Sequence, residues 1–171
     1  MSSITETPSD NCVDVGFTSR DFRDAMGHFS TGVVVVSTEN DGNCHAMTAN
    51  AFMSGSLDPC LVMISVDVNA KMHDKIKSSG VYGVSILNQG QQWVSNHFAG
   101  KNDPENIPEF DELSGVPVIK GAMIKLAADL YAQYPCGDHT IFVGQVRSLE
   151  LDGEEKTPLV YFGGRYREVN W

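Results

Sequence analysis

The chain predicts a mainly β protein, an antiparallel barrel with a few peripheral helices. Strand-like apolar runs outnumber helical ones along its length, and most connections between them are short and hairpin-like. The regular strand–helix alternation and the G-x-G-x-x-G turn of a doubly wound sheet are both missing. With 171 residues, the chain is expected to form one domain over residues 17–171, enough to bury about 70% of its unfolded surface. Residues 1–16 are polar and acidic, without a basic region followed by an apolar core, and are expected to be a flexible cytoplasmic tail.

Taken in order, residues 17–29 read as a helix, with Thr18 or Ser19 as cap, Phe22, Met26 and Phe29 on one face, and Gly32 as its end. Four consecutive valines, Val33 to Val36, are too apolar for an exposed strand and are expected inside the barrel. Residues 40–43 (NDGN) make a hairpin turn into a partner strand over 44–50. Asp58-Pro59 leads into a strand at 61–66, a helix follows over 71–79 ended by Gly80, and 81–87 (VYGVSIL) is strand-like again. Residues 89–98 suit a short helix, and 102–112, acidic and holding Pro104 and Pro108, a loop. Strands are expected at 124–134, 140–151 and 159–162, separated by turns at 135–138 and 152–155.

Composition limits the partners. Net charge is −10, from 22 acids against 12 bases, and phosphate-rich surfaces demand concentrated Lys and Arg, so nucleic acid and membrane are poor partners. Lys71, Lys75, Lys101, Arg165 and Arg167 are the candidate cations for a phosphate-bearing cofactor. No apolar run approaches the roughly 20 residues of a membrane span. Cys12, Cys44, Cys60 and Cys136 are scattered without a C-x-x-C pair and are expected as reduced, partly buried thiols, with no zinc site.

Two polar runs carry the chemistry. Residues 46–54 (AMTANAFMS) begin with strand-like alternation yet place Thr48, Asn50 and Ser54 where a barrel strand would carry Val or Ile. Polar groups interrupting an apolar strand need hydrogen-bond partners or cost a few kcal/mol each. A bound polar cofactor supplies them, and the short, rigidly held donors suit the carbonyls and ring nitrogens of a flavin. A polar strand end entering a turn is the plainer reading. Residues 137–144 (GDHTIFVG) make a similar offer from the other half of the chain. There His139 either donates to a nicotinamide carboxamide or ribose, or pairs with Asp138 beside the turn. Lys71 opens a helix whose N-terminal amides favour an anion, or it is simply solvated. Gly163, Gly164, Arg165 and Tyr166 combine closely approachable backbone, a cation and a stacking ring, or form a plain turn.

Seven blocks then resemble one family in order and spacing. They are FRDAMG (22–27), STGV (30–33), MTANAF (47–52), SLDP (56–59), FAG (98–100), GDHTIFVG (137–144) and YFGGRY (161–166). The chain resembles the short-chain flavin reductases, the small reductase components of two-component flavin-dependent monooxygenases. The resemblance implies a homodimeric, FMN-binding split β-barrel, a Greek-key-like antiparallel barrel. It also implies hydride transfer from NAD(P)H to FAD or FMN, with NADH and FAD the first expectations and reduced flavin passing to an oxygenase. By position, Thr31, Met47, Thr48, Ala49, Asn50, Ser54, Ser65, Val66, Asp67, Lys71, Phe98, Ala99 and Gly100 would contact flavin. His139, Gly163 and Tyr166 would contact the nucleotide, with Gly164 and Arg165 beside them. Ala46 stands where the family often has Gly, and Cys60 where it often has a second Pro.

Hydride transfer requires no triad, P-loop or carboxylate pair from the protein, and none is evident, because the cofactor carries the chemistry. A flavin-binding electron carrier on the same barrel is the alternative. It would have no use for His139 or residues 163–166. A pyridoxamine-phosphate-oxidase-like enzyme would need more Arg and Lys at a phosphate site.

Overall fold

The computed structural model describes residues 16–101, 103–152 and 157–169. The tail expected over residues 1–16 lies, Gly16 apart, outside them, as do Cys12 and residues 153–155 of the last expected turn. Helix α1 (Ser19–Met26) starts at Thr18, whose Oγ1 accepts from the Asp21 amide at 3.1 Å while Asp21 Oδ2 accepts from the Thr18 amide at 2.8 Å. The Thr18 hydroxyl, donating to Asp21 Oδ2 at 2.7 Å, and then the Thr18 amide hold the Asp21 carboxyl below its ordinary range. Gly27, not Gly32, caps the helix, and Thr31–Gly32 already forms strand β1. The expected apolar face is present but none of its residues is buried within the chain: Phe22 is 55% exposed, Met26 53% and Phe29 76%.

The principal sheet among the described residues has seven strands: β2 (Val34–Asn40), β3 (Asn43–Ala49), β4 (Phe52–Leu57), β5 (Cys60–Asp67), β6 (Val81–Ile86), β9 (Ile124–Cys136) and β10 (His139–Leu151). Their spatial order is β3-β2-β6-β9-β10-β5-β4, and every neighbouring pair is antiparallel. The two edge strands, β3 and β4, are consecutive in the chain and joined only by Asn50 and Ala51. Ala49 and Phe52 are three residues apart and so at most about 11 Å apart. The sheet must therefore curl until its edges meet at that corner, where Ala51 O accepts from the Ser65 amide at 3.1 Å. This is the split-barrel geometry. The sequence run 46–54 is accordingly two strands on opposite edges with a break at Asn50, not one strand and its end.

The valine run is unbroken because both faces of the sheet are covered there. Val34 and Val36 point inward with Ile64, Tyr82 and Phe142, beneath Met72 and Ile76 of helix α2 (Lys71–Ser79). Val33 and Val35 point outward, against Val94 of helix α3 (Gln92–Phe98), Leu87 and Leu159. Each buried valine contributes about 1.5–3 kcal/mol. A hairpin of β7 (Phe110–Leu113) and β8 (Val116–Ile119) stands where sequence reading placed the end of a loop. It is seated by small side chains: Ser37 Oγ donates to Pro117 O, Ser85 Oγ accepts from the Ile119 amide at 2.8 Å, and a Cβ on Gly83 would stand 2.6 Å from Pro117 O. Such serines give no period-2 apolar signal, so the sequence does not announce the hairpin. Cys44, Cys60 and Cys136 are free and exposed, not partly buried as expected. No helix of the described residues is long and apolar enough to cross a membrane.

Inside the barrel Tyr82 is fully buried, and its hydroxyl has no hydrogen-bond partner within the described residues. Burial pushes the phenol well above its ordinary range. Its ring fits because Gly144 opposite lacks a Cβ, which would meet the Tyr82 hydroxyl first. Gly144→Ala should therefore cost about 1–3 kcal/mol, whereas Tyr82→Phe should be neutral or stabilising because it removes an unsatisfied polar group. Urea unfolding of both variants and the double variant checks this. An equal cost of G144A in the wild-type and Y82F backgrounds would show that the hydroxyl is not the obstacle.

Candidate functional site

Asn50 follows β3 at the corner where the sheet edges meet, and one cavity adjoins that corner, with two more continuing from it. A cavity of about 210 Å³ is walled by Val33, Thr48, Ala49, Asn50, Ser95, Ala99, Tyr161 and Tyr166. A second, of about 530 Å³, shares Ala99, Tyr161 and Tyr166 with it and adds Gln92, Asn96, Lys101, Gly164 and Arg165. A third, of about 600 Å³, shares Gln92 and Tyr166 and continues past Asn88, Gln89 and Arg167. The result is a trough over α3 and the hairpin of β11 (Val160–Phe162) and β12 (Arg165–Arg167). Thr48, Ala49, Asn50, Ala99, Gly164, Arg165 and Tyr166, which lie in three separate sequence blocks, all line it.

The trough is braced by side chains. Thr48 Oγ1 donates to Ser95 O at 2.7 Å, and Ser95 Oγ and the Tyr166 hydroxyl share a hydrogen bond at 2.8 Å. The Tyr166 ring meets Tyr161 edge-on at 5.4 Å. The Thr48 hydroxyl therefore spends its hydrogen within the chain, on a backbone carbonyl, where a cofactor was the expected partner. Gly163 and Gly164 have φ of +61° and +73°, the two left-handed positions of a tight hairpin turn. The turn accounts for both glycines and delivers Arg165 and Tyr166 to the cavity wall, while the Gly163 amide donates to Gly27 O at 2.7 Å. Ser95, Tyr161, Gln92 and Asn96 were not singled out in sequence. The only signal for Ser95 is a small polar residue beside Val94 on the packed flank of α3.

Of the remaining predicted residues, His139, Asp67 and Lys71 lie around the turn from β5 into α2, apart from these cavities. His139 opens β10 in register with Asp67 at the end of β5, and the Val68 amide donates to Asp138 O at 3.1 Å. His139 Nδ1 pairs with Asp138 Oδ1 at 2.7 Å, and this interaction holds the Asp138 carboxyl below its ordinary range. Nε2 is left as the ring atom for a ligand. Asp67 Oδ1 accepts from the Asn69 amide at 2.7 Å and shapes the turn into α2, which Lys71 begins. Lys71 and Lys75 face β3: after burial, their charges are what hold the His45 imidazole below its ordinary range. Val66 is 1% exposed in the core, so only its backbone can meet a ligand. Ser54 is exposed beside a bulge of β4. Phe98 packs against the outer core, and Gly100 turns the chain after α3 with φ of +88°. None of the three cavities has Ser54, Lys71 or His139 on its wall.

Thr31 decides whether a polar cofactor fits. It lies in register with Tyr161, a residue of the trough wall, while lining none of the three cavities itself, and its Oγ1 is buried with no hydrogen-bond partner within the described residues. A buried hydroxyl in that state costs about 1–3 kcal/mol until something outside the chain bonds it. A ligand rich in carbonyl, hydroxyl and ring-nitrogen groups meets that need, as a flavin does.

Comparison with known proteins agrees. Residues 26–170 match the family described as flavin reductase like domain. The chain belongs to the flavin reductase family. An NADH-dependent flavin reductase of a Rhodococcus species is 42% identical over 97% of this chain and 94% of its own length. The reductase component of 4-hydroxyphenylacetate 3-monooxygenase from Thermus thermophilus is 43% identical over 88% and 96%. Among solved structures, flavin reductase PheA2 superposes with a TM-score of 0.87 at 43% identity, over 91% of this chain and 100% of the other. The Streptomyces globisporus NADH:FAD oxidoreductase SgcE6, solved with NAD and FAD fragments, gives 0.80 at 34% identity, over 88% and 92%.

In this flavin reductase, Thr31→Val should leave the flavin-free protein as stable as wild type or up to about 1 kcal/mol more so, while weakening flavin affinity about three- to tenfold. Urea unfolding and fluorescence titration of oxidised flavin read the two effects separately. A loss of stability without loss of affinity would give the hydroxyl a structural role.

Proposed function

We propose that this chain is an NADH-dependent reductase of free FAD or FMN that passes the reduced flavin to a separate oxygenase component. The convergence of residues 48–50, 99 and 164–166 on adjoining cavities carries the reading. When bound, the flavin supplies the ring that accepts a hydride from the nicotinamide. The chain supplies position. Met47, Thr48, Ala49 and Asn50, with Thr31, Ala99 and the turn through Phe98 and Gly100, hold the ring edge by short polar groups and backbone. Ser54, the backbone of Ser65 and Val66, Asp67 and Lys71 serve the ribityl chain and phosphate, where the α2 N-terminus and two lysines favour negative charge. His139, Gly163, Gly164, Arg165 and Tyr166 hold the nucleotide, with Tyr166 and Tyr161 keeping water from one side. Holding both partners in one orientation is the main service hydride transfer asks of a protein.

Anaerobic stopped-flow mixing of protein and FAD with NADH should bleach flavin rapidly, saturably and in proportion to protein, with FMN and NADPH as comparisons. His139→Ala should raise KM for NADH more than KM for flavin. Flavin that binds yet stays oxidised would make the protein a carrier instead. We assign the activity to residues 17–171 in the cytoplasm, so a chain starting at residue 17 should bleach flavin as the full chain does.

We further propose a homodimer, on the exposed Phe22, Met26 and Phe29 face of α1, since contiguous apolar surface of that kind is normally covered by a partner. Light scattering should report twice the chain mass, and Phe22→Glu should shift the protein toward monomer. A dimer indifferent to that change would place the interface elsewhere.

A further inference from the structure

Ser95 touches both halves of the site, and it does so with different atoms. Its backbone carbonyl accepts from Thr48 Oγ1 at 2.7 Å, and its hydroxyl shares a hydrogen bond with the Tyr166 hydroxyl at 2.8 Å. Ser95 itself is 0% exposed. α3 is further anchored by Val94, 1% exposed in the outer core. The Ser95 carbonyl thus faces the segment assigned to flavin, and its side chain faces the ring assigned to the nucleotide. Without the Ser95 hydroxyl, the Tyr166 hydroxyl loses its hydrogen bond to α3, and the ring keeps its edge contact with Tyr161 and its packing against the outer core.

We infer that Ser95 is a positioning residue for the nucleotide: its hydroxyl sets the Tyr166 ring as the wall between the flavin and nucleotide parts of the trough. The inference rests on the proposed reductase reading. It uses an asymmetry in the bonding. Replacing Ser95 by Ala deletes the bond to Tyr166 but keeps the carbonyl that holds Thr48. A specific positioning role therefore changes nucleotide binding and leaves flavin binding alone, whereas a general loosening of α3 changes both.

The test uses the full chain as wild type, Ser95→Ala, Tyr166→Phe and the double variant. KM for NADH and kcat come from steady-state flavin reduction, and flavin Kd from fluorescence titration without NADH. Melting temperatures exclude misfolded variants. Wild type must first reduce flavin, and failure there sinks the reductase reading, not this inference. Given activity, each single variant should raise KM for NADH about three- to tenfold, the range expected for one hydrogen bond, with kcat and flavin Kd within about twofold. The double variant should be no worse than the worse single one, because both substitutions delete the same bond. An unchanged KM in Ser95→Ala, additive effects, or an equal rise in flavin Kd would each overturn the inference. Should Ser95→Ala melt early, Ser95→Thr, which keeps a hydroxyl on α3, takes its place: it should hold KM for NADH near wild type where Tyr166→Phe raises it, and a Ser95→Thr KM as high as that of Tyr166→Phe would overturn the inference.

Discussion

The two residues between β3 and β4 govern this structure. A seven-stranded antiparallel sheet has two free edges, each a row of unsatisfied backbone groups. Here the edges are consecutive strands, and a link of Asn50 and Ala51 is too short to let them separate at that end. The sheet must curl, the interior fills with Val34, Val36, Ile64, Tyr82 and Phe142, and α2 covers it with Met72 and Ile76. At the corner itself strand pairing gives out, so short polar side chains and backbone groups stand beside cavities instead of in ladders. The constraint that curls the sheet is therefore also the one that creates a place to bind.

The outer layer follows from the same curl. A strand buried on one face alternates, and the valine run does not, because α3 and the segment around Leu159 cover the second face at that point. Covering it brings α3 against β3, and the β11–β12 hairpin against α3. Thr48, Ser95 and Tyr166 are the polar contacts through which those three layers register. Hydroxyls serve there because each can donate and accept at once, so Thr48, Ser95 and Tyr166 are joined by hydrogen bonds through Ser95. Thr31, on β1 in register with Tyr161, keeps a buried hydroxyl without a partner among the described residues.

How much of this the sequence discloses depends on the distance over which its signals act. Local chemistry was legible: Thr18 as cap, the NDGN turn, Gly80 after α2 and the buried valines are all decided within a few residues. The site blocks at 47–50, 98–100 and 163–166 were legible as a family pattern, and their meeting is observed for Thr48, Ala49, Asn50, Ala99, Gly164, Arg165 and Tyr166. The split of run 46–54 into opposite edges was not legible: each half pairs with its chain neighbour, β2 or β5, and only the insertion of β6, β9 and β10 between those hairpins sets them on opposite edges. The β7–β8 hairpin was missed because it is seated by Ser37, Ser85 and Gly83, whose smallness has no periodicity. Ser95 was missed because half of its role belongs to its backbone, which every residue has. The α1 face misled in the opposite way: its period of 3.6 residues was correct, but burial within the chain does not follow from it.

The openness of the trough bears on how such a protein hands over its product. Its cavities lie along a surface of amides, tyrosines and two or three cations, on a chain of net charge −10. Cations cluster at Lys71 and Lys75, against His45, and at Arg165 and Arg167, while the rest of the surface repels an anionic dinucleotide. Such an arrangement concentrates attraction at a few points and leaves no enclosing lid among the described residues to be opened before release. Orientation can then be tight while retention stays weak. A reductase whose product must leave for another protein needs that combination, since each step toward tighter retention of reduced flavin slows the transfer it exists to make.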